Sequence, residues 1–304
     1  MNTIHIALCT DKKYAQHAGV TMTSILHNKK ASTPVVFHVI HDSLPQYEYD
    51  NLKQITDTYG AALVSHAVES TGFNTLPLGP YLSKAAYYRL LITKILPPSI
   101  KKVLYLDVDL IVRSDISELW HTDISAHYAA AIEDIGIESK AGLRENLGMP
   151  PREPYFNSGV LLINTTKWRA DSISSKVITF INDNAGKIRF ADQDGLNAIL
   201  WGNWVAVHPK WNVYKAAFRK YYKWREKRKL SNELLQAVKN PGIVHFTGPL
   251  KPWHDSCLMP YVKEYYFYLA MTPWKGYQAP RATMHQLYRK YRQRFRRYIM
   301  NLLD

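Results

Sequence analysis

The first 68 residues alternate between short apolar runs and longer amphipathic stretches, and this order constrains the fold more than any other feature. The runs at 3–10, 34–40 and 61–68 have β-strand character, whereas 14–28 and 45–58 have helical patterning. Strands that are joined by helices pair in parallel, and the helices then cover the faces of the sheet. The sequence therefore predicts an α/β fold from its first strand onward.

The rest of the chain continues without a boundary that composition would mark. A helix is predicted over 83–96, where a Pro-Pro pair ends it, and the apolar stretch 102–112 follows. Later segments are predicted as strands at 127–132, 155–164 and 242–246 and as helices at 166–184 and 191–200. No internal repeat or low-complexity linker interrupts them. We therefore expect one domain over 1–276, followed by a tail over 277–304.

The formal net charge of +14 is concentrated in two segments. Residues 214–230 contain eight Lys or Arg and one acid, and residues 277–304 contain seven Lys or Arg and one acid. The rest of the chain is nearly neutral, so the net charge describes these two segments and says little about the core. Basic segments with interleaved aromatic residues fit a solvated helix, a nucleic-acid surface or a contact with anionic lipid.

The tail has the spacing of an amphipathic helix. Arg and Lys fill the gaps between its apolar residues, a pattern typical of a helix that lies at a membrane interface. The apolar set recurs every three or four positions and consists of Met284, Leu287, Tyr288, Tyr291, Phe295, Tyr298, Ile299 and Leu302. The alternative is that this apolar stripe packs on the protein's own core.

The lengths of the apolar segments and the number of cysteines indicate the cellular compartment. No segment approaches the about 20 apolar residues that cross a bilayer, and the chain starts with a strand pattern in place of a signal sequence. Two cysteines, Cys9 and Cys257, are too few to staple a chain of 304 residues. These features indicate a cytoplasmic protein in a reducing compartment.

Two aspartates, Asp107 and Asp109, interrupt the apolar stretch LYLDVDLIV. If this stretch is one strand, residues two apart face the same side, so both carboxylates point in one direction. Unpaired buried carboxylates are costly, and a divalent cation such as Mg²⁺ or Mn²⁺ relieves that cost. The alternative for so short a motif is structural, with one aspartate capping a turn near Ser114 and the other pairing with a lysine.

A second candidate element is the segment GIVHFTGPLKPW at 242–253. His245 ends its strand-like part, and imidazole is a common metal ligand. Gly248 lets backbone amides approach a phosphate, and Lys251 supplies a positive charge. Alternatively, His245 is a hydrogen-bonded core histidine and Lys251 an exposed loop lysine. Together with the two aspartates, this segment indicates a clamp for a metal ion and a pyrophosphate.

Three further polar elements stand in apolar or helical surroundings. Asp192, Gln193 and Asp194 open a predicted helix, where such residues cap the N-terminus or hold sugar hydroxyls. Arg89 lies mid-helix among tyrosines and leucines, so its charge snorkels to solvent, pairs with an acid or contacts an anionic ligand. Asp11 follows the first strand, at the edge where open α/β sheets bind ligands. It accepts from a base or ribose, or else caps the next helix.

Taken in order, these elements resemble glycosyltransferase family 8, and in particular bacterial enzymes that add galactose or glucose to the core sugars of lipopolysaccharide or lipooligosaccharide. The resemblance covers roughly residues 3–275 and is carried by the motifs IALCTDKKYA, AYYRLL, VLYLDVDLIV, YFNSGVLLIN, FADQDGLN and HFTGPLKPW. It implies an α/β fold consisting of a single GT-A-type nucleotide-sugar transferase domain, with a mixed, mainly parallel sheet flanked by helices.

The resemblance also implies roles for individual residues. Asp107, Asp109 and His245 would bind Mn²⁺, or Mg²⁺ in its place, and bridge it to the diphosphate of a UDP-sugar. The implied nucleotide contacts are Cys9, Thr10, Asp11, Val108, Gly248 and Lys251. The implied donor-sugar contacts are Arg89, Asn157, Asp192 and Gln193, with Asp192, Gln193 and Asp194 the candidates for a catalytic role. Lys13 stands among the nucleotide contacts where relatives often carry an Asn, so one uridine contact differs here.

The expected activity is transfer of galactose or glucose from UDP-galactose or UDP-glucose to a lipid-linked oligosaccharide acceptor, with retention at the anomeric carbon. Two mechanisms stay open. One is double displacement through Asp192 or Asp194, and the other is a front-face path in which the leaving phosphate accepts the acceptor's proton.

The resemblance favours a membrane role for the tail. This role would place the protein on the inner face of the bacterial cytoplasmic membrane, bound to its anionic surface and without a nucleic-acid partner. The competing functions are a metal-dependent nucleotidyltransferase or phosphohydrolase and a non-enzymatic, basic nucleic-acid-binding protein.

Overall fold

A computed structural model of the chain describes residues 3–30, 32–69 and 84–278, together with positions 283, 284, 288, 291 and 292 of the tail. Its start consists of strands and helices in the predicted alternation: β1 (Ile4–Cys9), α1 (Ala15–Asn28), β2 (Val35–His41), α2 (Gln46–Thr58) and β3 (Ala62–Ala67). β2 pairs in parallel with both β1 and β3. The predicted parallel α/β start is confirmed.

In the part of the chain that the structure describes, the main sheet has seven strands, and four of them come from later in the chain: β4 (Lys102–Leu106), β6 (Ala129–Glu133), β7 (Phe156–Asn164) and β8 (Trp204–Ala206). The strand order is β3-β2-β1-β4-β7-β6-β8. β7 is antiparallel to both of its neighbours, and the other pairs are parallel. The sheet is therefore mixed and mainly parallel, as the family resemblance implied.

A second sheet is formed, among the described residues, by three short strands: β5 (Leu110–Val112), β9 (Val213–Tyr214) and β10 (Ile243–His245). β10 lies in the middle, antiparallel to β5 and parallel to β9. The stretch 102–112 is not one strand, as the alignment of its two aspartates assumed, because β4 ends at Leu106 in the main sheet and β5 begins at Leu110 in the second. Asp107 and Asp109 therefore lie on the turn that joins two sheets, and strand alternation does not align them.

Helices surround both sheets: α3 (Ile92–Ile95), α4 (Ser117–Trp120), α5 (Leu143–Asn146), α6 (Thr165–Ala170), α7 (Ile173–Asp183), α8 (Asp192–Leu200), α9 (Lys215–Tyr221), α10 (Trp224–Lys227), α11 (Asn232–Lys239) and α12 (Val262–Leu269). Within the described residues, three 3₁₀ helices cover Lys84–Leu91, Ile137–Ser139 and Pro209–Asn212. The predicted helix at 83–96 is thus a 3₁₀ helix followed by α3. The one predicted at 166–184 is two helices, interrupted at Ser172, whose φ of 52° is left-handed.

The core covers both faces of the main sheet. Ile6 and Leu8 of β1 join an apolar cluster that includes α1, whereas Ala7 and Cys9 face a second cluster that includes Tyr87 of the first 3₁₀ helix. A strand that is buried on both faces is apolar at nearly every position. This two-sided burial explains why β1 is a continuous apolar run in the sequence.

The two basic segments differ in how they meet the domain. Residues 214–230 start in β9 and form α9 and α10, and Lys220 of α9 pairs with Glu138. In the tail, Met284, Tyr288 and Tyr291 are helical and 64–83% exposed, so these three side chains do not pack on the core. Along the residues that the structure describes, no helix combines the length and the apolar character that a membrane span requires. The domain limit at 276 stays a prediction.

Candidate active site

Three side chains with metal-ligand chemistry converge at the turn between the two sheets. The Nε2 atom of His245 lies 3.1 Å from Oδ1 of Asp109 and 3.5 Å from Oδ2 of Asp107. Ligand atoms from the three residues all lie within 4.8 Å of one another. Two carboxylate oxygens and one imidazole nitrogen form a donor set that suits Mn²⁺. The sequence predicted these three residues as one group, and the structure brings them together.

Hydrogen bonds turn one oxygen of each aspartate toward the histidine. Oδ1 of Asp107 accepts from the Tyr105 hydroxyl at 2.6 Å and from the Arg89 guanidinium at 3.0 Å. Oδ2 of Asp109 accepts from the Lys251 ammonium. Oδ2 of Asp107 and Oδ1 of Asp109 are the oxygens left to face a cation.

The charge of Lys251 keeps Asp109 ionised. Burial alone raises the pKa of the Asp109 carboxyl, but the charge of Lys251 and the contacts of Asp109 with His245 and Lys251 outweigh burial and hold that pKa well below its usual range. Burial lowers the pKa of Lys251, and Asp109 more than restores it, so the pKa of Lys251 lies above its usual value. Both groups are therefore charged at neutral pH, so Asp109 offers an anionic oxygen to a cation.

Gly159 of β7 leaves room for this cluster. A Cβ atom built on Gly159 would lie 2.2 Å from Cε1 of His245 and 2.7 Å from Oδ2 of Asp107, closer than real Cβ contacts occur. The Gly159 carbonyl also accepts the Asp107 backbone N–H at 2.9 Å. A glycine inside a strand often marks such a close approach. The space that it leaves and the donor set together fit a divalent cation held by Asp107, Asp109 and His245.

A buried guanidinium links the metal-ligand cluster to the second acidic element. Arg89 is 4% exposed, and its Nη2 contacts Asp107 while its Nε contacts Asp192 at 3.0 Å. Burial raises the pKa of Asp192 to about 6, with Asp107 adding to the rise and Arg89 opposing it. Of the alternatives predicted for Arg89, the structure shows pairing with an acid, and Arg89 pairs with two acids at once.

The amide of Gln193 is held from both ends. Its Oε1 accepts from the Asn157 side chain at 3.1 Å and from the Ser158 backbone at 3.0 Å, and its Nε2 donates to Asp134 at 3.1 Å. Asn157, Asp192 and Gln193, three of the predicted donor-sugar residues, are thus buried side by side with Arg89. A rigid row of amide and carboxylate groups of this kind is suited to holding sugar hydroxyls.

Asp194 lies apart from that row although it is two residues from Asp192. It has no exposed surface, its Oδ1 accepts from the Tyr155 hydroxyl, and its Oδ2 accepts the backbone N–H groups of Arg189 and Phe190. Both carboxylate oxygens are therefore used in holding the chain before α8. This geometry assigns Asp194 to the support of the site.

The predicted nucleotide contacts lie at the end of β1 and on the loop after β10. Cys9 and Thr10 are buried, and burial raises the pKa of the Cys9 thiol, with Arg89 opposing. Asp11 accepts the backbone N–H groups of Lys13 and Tyr14, so it also caps the turn before α1. Of two further predicted nucleotide contacts, the Lys13 side chain is exposed, whereas the Val108 side chain is buried in the core.

The loop that holds Lys251 turns at Gly248, whose φ of +89° is left-handed and favours glycine. The loop is fixed by an aromatic contact, because Trp253 stacks on His17 of α1 with ring centroids 3.4 Å apart and planes 7° apart. His17 also contacts the Tyr265 hydroxyl at 2.7 Å. Burial lowers the pKa of His17 to about 3, so the ring is neutral at neutral pH.

Sequence reasoning missed several residues that complete the site. They are His17, Tyr105, Asp134, Ser158, Gly159, Asn212, Tyr214 and Trp253. Two of them carried a local signal: Gly159 is a glycine within a strand pattern, and Asn212 is an amide within the apolar run WNVY. The others acquire their positions only through long-range packing.

The fold and the site together define a glycosyltransferase of the GT-A type, and comparison with known proteins gives the family. The family model named Glycosyl transferase family 8 matches residues 5–257, and the chain belongs to that family. The protein is therefore a retaining glycosyltransferase. The family resemblance and the fold class predicted from the sequence are confirmed.

Individual relatives align over most of their length. General stress protein A of Bacillus subtilis (strain 168) is 35% identical over 276 residues, covering 89% of this chain and 94% of the relative. Lipopolysaccharide 1,2-glucosyltransferase of Escherichia coli (strain K12) is 26% identical over 280 residues, covering 90% and 79%. Among solved structures, galactosyltransferase LgtC in complex with donor and acceptor sugar analogs gives a TM-score of 0.79 at 25% identity, covering 89% of this chain and 96% of LgtC.

Proposed function

We propose that the protein transfers galactose or glucose from a UDP-sugar to a saccharide acceptor in a Mn²⁺-dependent reaction. The observation that carries the proposal is the convergence of Asp107, Asp109 and His245, with Lys251 beside them. A divalent cation bound there supplies positive charge that neutralises the diphosphate of the leaving UDP. Lys251 adds a second positive charge on the loop after β10.

The row formed by Arg89, Asn157, Asp192 and Gln193 is proposed to hold the donor sugar. The four side chains are buried and hydrogen-bonded, so they orient a sugar with little motion of their own. Galactose and glucose differ in the orientation of one hydroxyl, and the row offers both donors and acceptors to it. Cys9, Thr10 and Asp11 are proposed to contact the uracil and ribose.

We favour a front-face mechanism over double displacement. Asp194 is fully buried with both oxygens occupied, and Gln193 is an amide, so neither is a ready nucleophile. In the front-face path, the bond from C1 to the diphosphate oxygen breaks and its electron pair stays on that oxygen. The acceptor hydroxyl oxygen bonds C1 on the same face and passes its proton to the departing diphosphate. A covalent glycosyl adduct on Asp192, trapped and seen by mass spectrometry, would contradict this mechanism.

The acceptor is proposed to be a lipid-linked core oligosaccharide of the lipopolysaccharide type. The support comes from relatives named lipopolysaccharide 1,2-glucosyltransferase and lipopolysaccharide 1,3-galactosyltransferase, at 26% and 28% identity. Exposure of Met284, Tyr288 and Tyr291 beside a basic sequence supports contact of the tail with an anionic membrane surface. Binding to anionic vesicles should exceed binding to single-stranded nucleic acid at equal salt, and removal of 277–304 should abolish vesicle binding.

The direct test of the activity compares Asp109→Asn with Asp57→Asn, a control at an exposed surface pair. Release of UDP from UDP-galactose and UDP-glucose is measured with Mn²⁺ and a panel of core oligosaccharides. Asp109→Asn should lose on the order of 100- to 1,000-fold in turnover, the usual cost of removing one electrostatic stabilising group. Near-normal activity of Asp109→Asn would refute the metal assignment. Release of UMP or phosphate in place of UDP would indicate a nucleotidyltransferase or phosphohydrolase.

A further inference from the structure

A single row of hydrogen-bonded side chains starts at His245, passes through Asn157 and Gln193 of the proposed donor-sugar site, and ends at an acid, Asp134. Nδ1 of His245 lies 3.0 Å from Oδ1 of Asn212, and Nδ2 of Asn212 donates to Oδ1 of Asn157 at 2.8 Å. Nδ2 of Asn157 donates to Oε1 of Gln193, and Nε2 of Gln193 donates to Oδ2 of Asp134, both at 3.1 Å. All five residues are buried.

The acid at the far end gives this row its direction. Oδ1 of Asp134 accepts from the Tyr214 hydroxyl and from the Gly136 backbone at 2.8 Å. Burial and the charge of Asp134 raise the pKa of Tyr214 well above its usual value, so Tyr214 stays a donor. Gln193 points its NH₂ group toward Oδ2 of this acid, so its Oε1 lies at the opposite end of the amide.

Backbone amides fix the same direction in the middle of the row. The N–H of Ser158 donates to Oε1 of Gln193 at 3.0 Å, and the N–H of Gly159 donates to Oδ1 of Asn157 at 3.1 Å. Since backbone N–H groups only donate, neither amide can exchange its oxygen and nitrogen without losing a bond. Asn157 therefore offers its oxygen to Asn212, and Asn212 must use its NH₂ group there and offer its own oxygen to His245.

We infer that Asn212 is a positioning residue that fixes the tautomer of His245, with the proton on Nδ1 and the Nε2 lone pair directed at the metal-ligand cluster. The inference rests on the proposed metal-dependent function and adds to it a residue that touches neither metal nor donor. Metal-bound histidines usually donate their other ring N–H to such a partner, and loss of that partner costs about 10- to 100-fold in affinity or activity.

Asn212 and Tyr214 belong to one short segment, at the end of a 3₁₀ helix and the end of β9. Asn212 holds the histidine end of the row, and Tyr214 holds the acid end. Because Asn157 and Gln193 lie between them, the same bonds that orient His245 also orient the proposed sugar-binding amides. The row therefore ties the metal-ligand cluster to the donor-sugar site through side chains alone.

The test measures Mn²⁺ binding to the full-length protein by calorimetry, without donor. Asn212→Leu is nearly equal in size but has no acceptor, so its Mn²⁺ affinity should fall by about 10- to 100-fold. Asn212→Asp keeps an acceptor for Nδ1 and should recover most of that affinity, while it loses the donor to Asn157. Its defect should therefore be a raised KM for the UDP-sugar. Asn28→Leu is the control, since the Asn28 side-chain amide also makes three hydrogen-bond contacts but lies at the C-terminal end of α1.

The outcomes separate this inference from the proposed function. If the parent protein does not bind Mn²⁺, or if Asp109→Asn binds Mn²⁺ as well as the parent does, the metal-dependent function itself is wrong. If the parent binds Mn²⁺ and Asn212→Leu binds it equally well, only the role of Asn212 is refuted. Loss of Mn²⁺ affinity in Asn212→Asp as large as in Asn212→Leu would also refute it, because the acceptor would then not be what matters.

A measurement on the unaltered site removes any dependence on how the variants fold. Nitrogen-15 NMR of histidine-labelled protein at pH 8 distinguishes the two neutral tautomers, and the His245 signals are assigned by their absence from His245→Ala. We expect the proton on Nδ1. An Nδ1 atom without a proton would overturn the inference.

Discussion

Substitution of Gly159 by alanine tests whether the space beside His245 is part of the site. The added Cβ would lie 2.2 Å from Cε1 of His245, whereas ordinary contact begins at 3.4 Å, so the ring must retreat by about 1.2 Å. Metal sites tolerate about 0.2 Å in ligand distance, and a displacement of about 1 Å costs about 100-fold in rate. Overpacking in the core costs about 1–3 kcal/mol, which leaves a domain of this size folded.

The assay compares Gly159→Ala with Gly186→Ala, where an added Cβ meets no atom within 4 Å and φ is ordinary. Mn²⁺ affinity is measured by calorimetry, turnover by UDP release, and folding by thermal unfolding. We expect Gly159→Ala to lose Mn²⁺ binding and about 100-fold in turnover while it still unfolds cooperatively. If Gly159→Ala keeps the parent's Mn²⁺ affinity, the cluster is not built around this space and the reasoning fails.

Three further predictions concern charge and loop position. Asp192 has a folded pKa of about 6, above its unfolded value, so its stability contribution is present at low pH and lost as pH rises through 6. Between pH 4 and 7, the unfolding free energy of the parent should fall by up to about 3 kcal/mol relative to that of Asp192→Asn. The free energies are measured by urea unfolding at each pH, and an equal pH dependence of the two proteins would contradict this prediction. His17→Leu removes the stack with Trp253, worth about 0.5–1.5 kcal/mol, so the donor KM should rise about twofold to tenfold with Mn²⁺ affinity unchanged. In EDTA, Asp107→Asn should bind UDP more tightly than the parent by calorimetry, because one negative charge facing the diphosphate is gone; weaker binding would refute the charge argument.

Local patterning predicted the elements of the first 68 residues because each element follows from its own periodicity. The alternation of apolar runs and helices gave β1, α1, β2, α2 and β3 within one residue of the observed ends. The strand β7 was predicted, but its antiparallel pairing and the separate three-stranded sheet could not be derived in this way. The strands that pair there are distant in sequence, and the pattern of a short apolar run does not indicate which strand it pairs with or in which direction.

The site was predicted in part for a similar reason. Carboxylates at 107 and 109 and a histidine at 245 stand out within apolar runs, because a buried polar residue needs a partner. Asn212 obeys the same rule, but an amide has many possible partners and no charge to restrict them. Only the folded chain shows that its partners are His245 and Asn157.

The sheet break at 107–109 places the proposed metal ligands at the junction of the two sheets. Asp107 is tied by its backbone to Gly159 in the main sheet, and the Asp109 carbonyl accepts the N–H of Phe246, next to β10 of the second sheet. A cation held between Asp107, Asp109 and His245 therefore joins ligands from both sheets, and a ligand that binds only the folded state stabilises that state. The row from His245 through Asn212 to Gln193 starts at the same place. Any shift of the small sheet against the large one consequently reaches the metal ligands and the sugar-binding amides together.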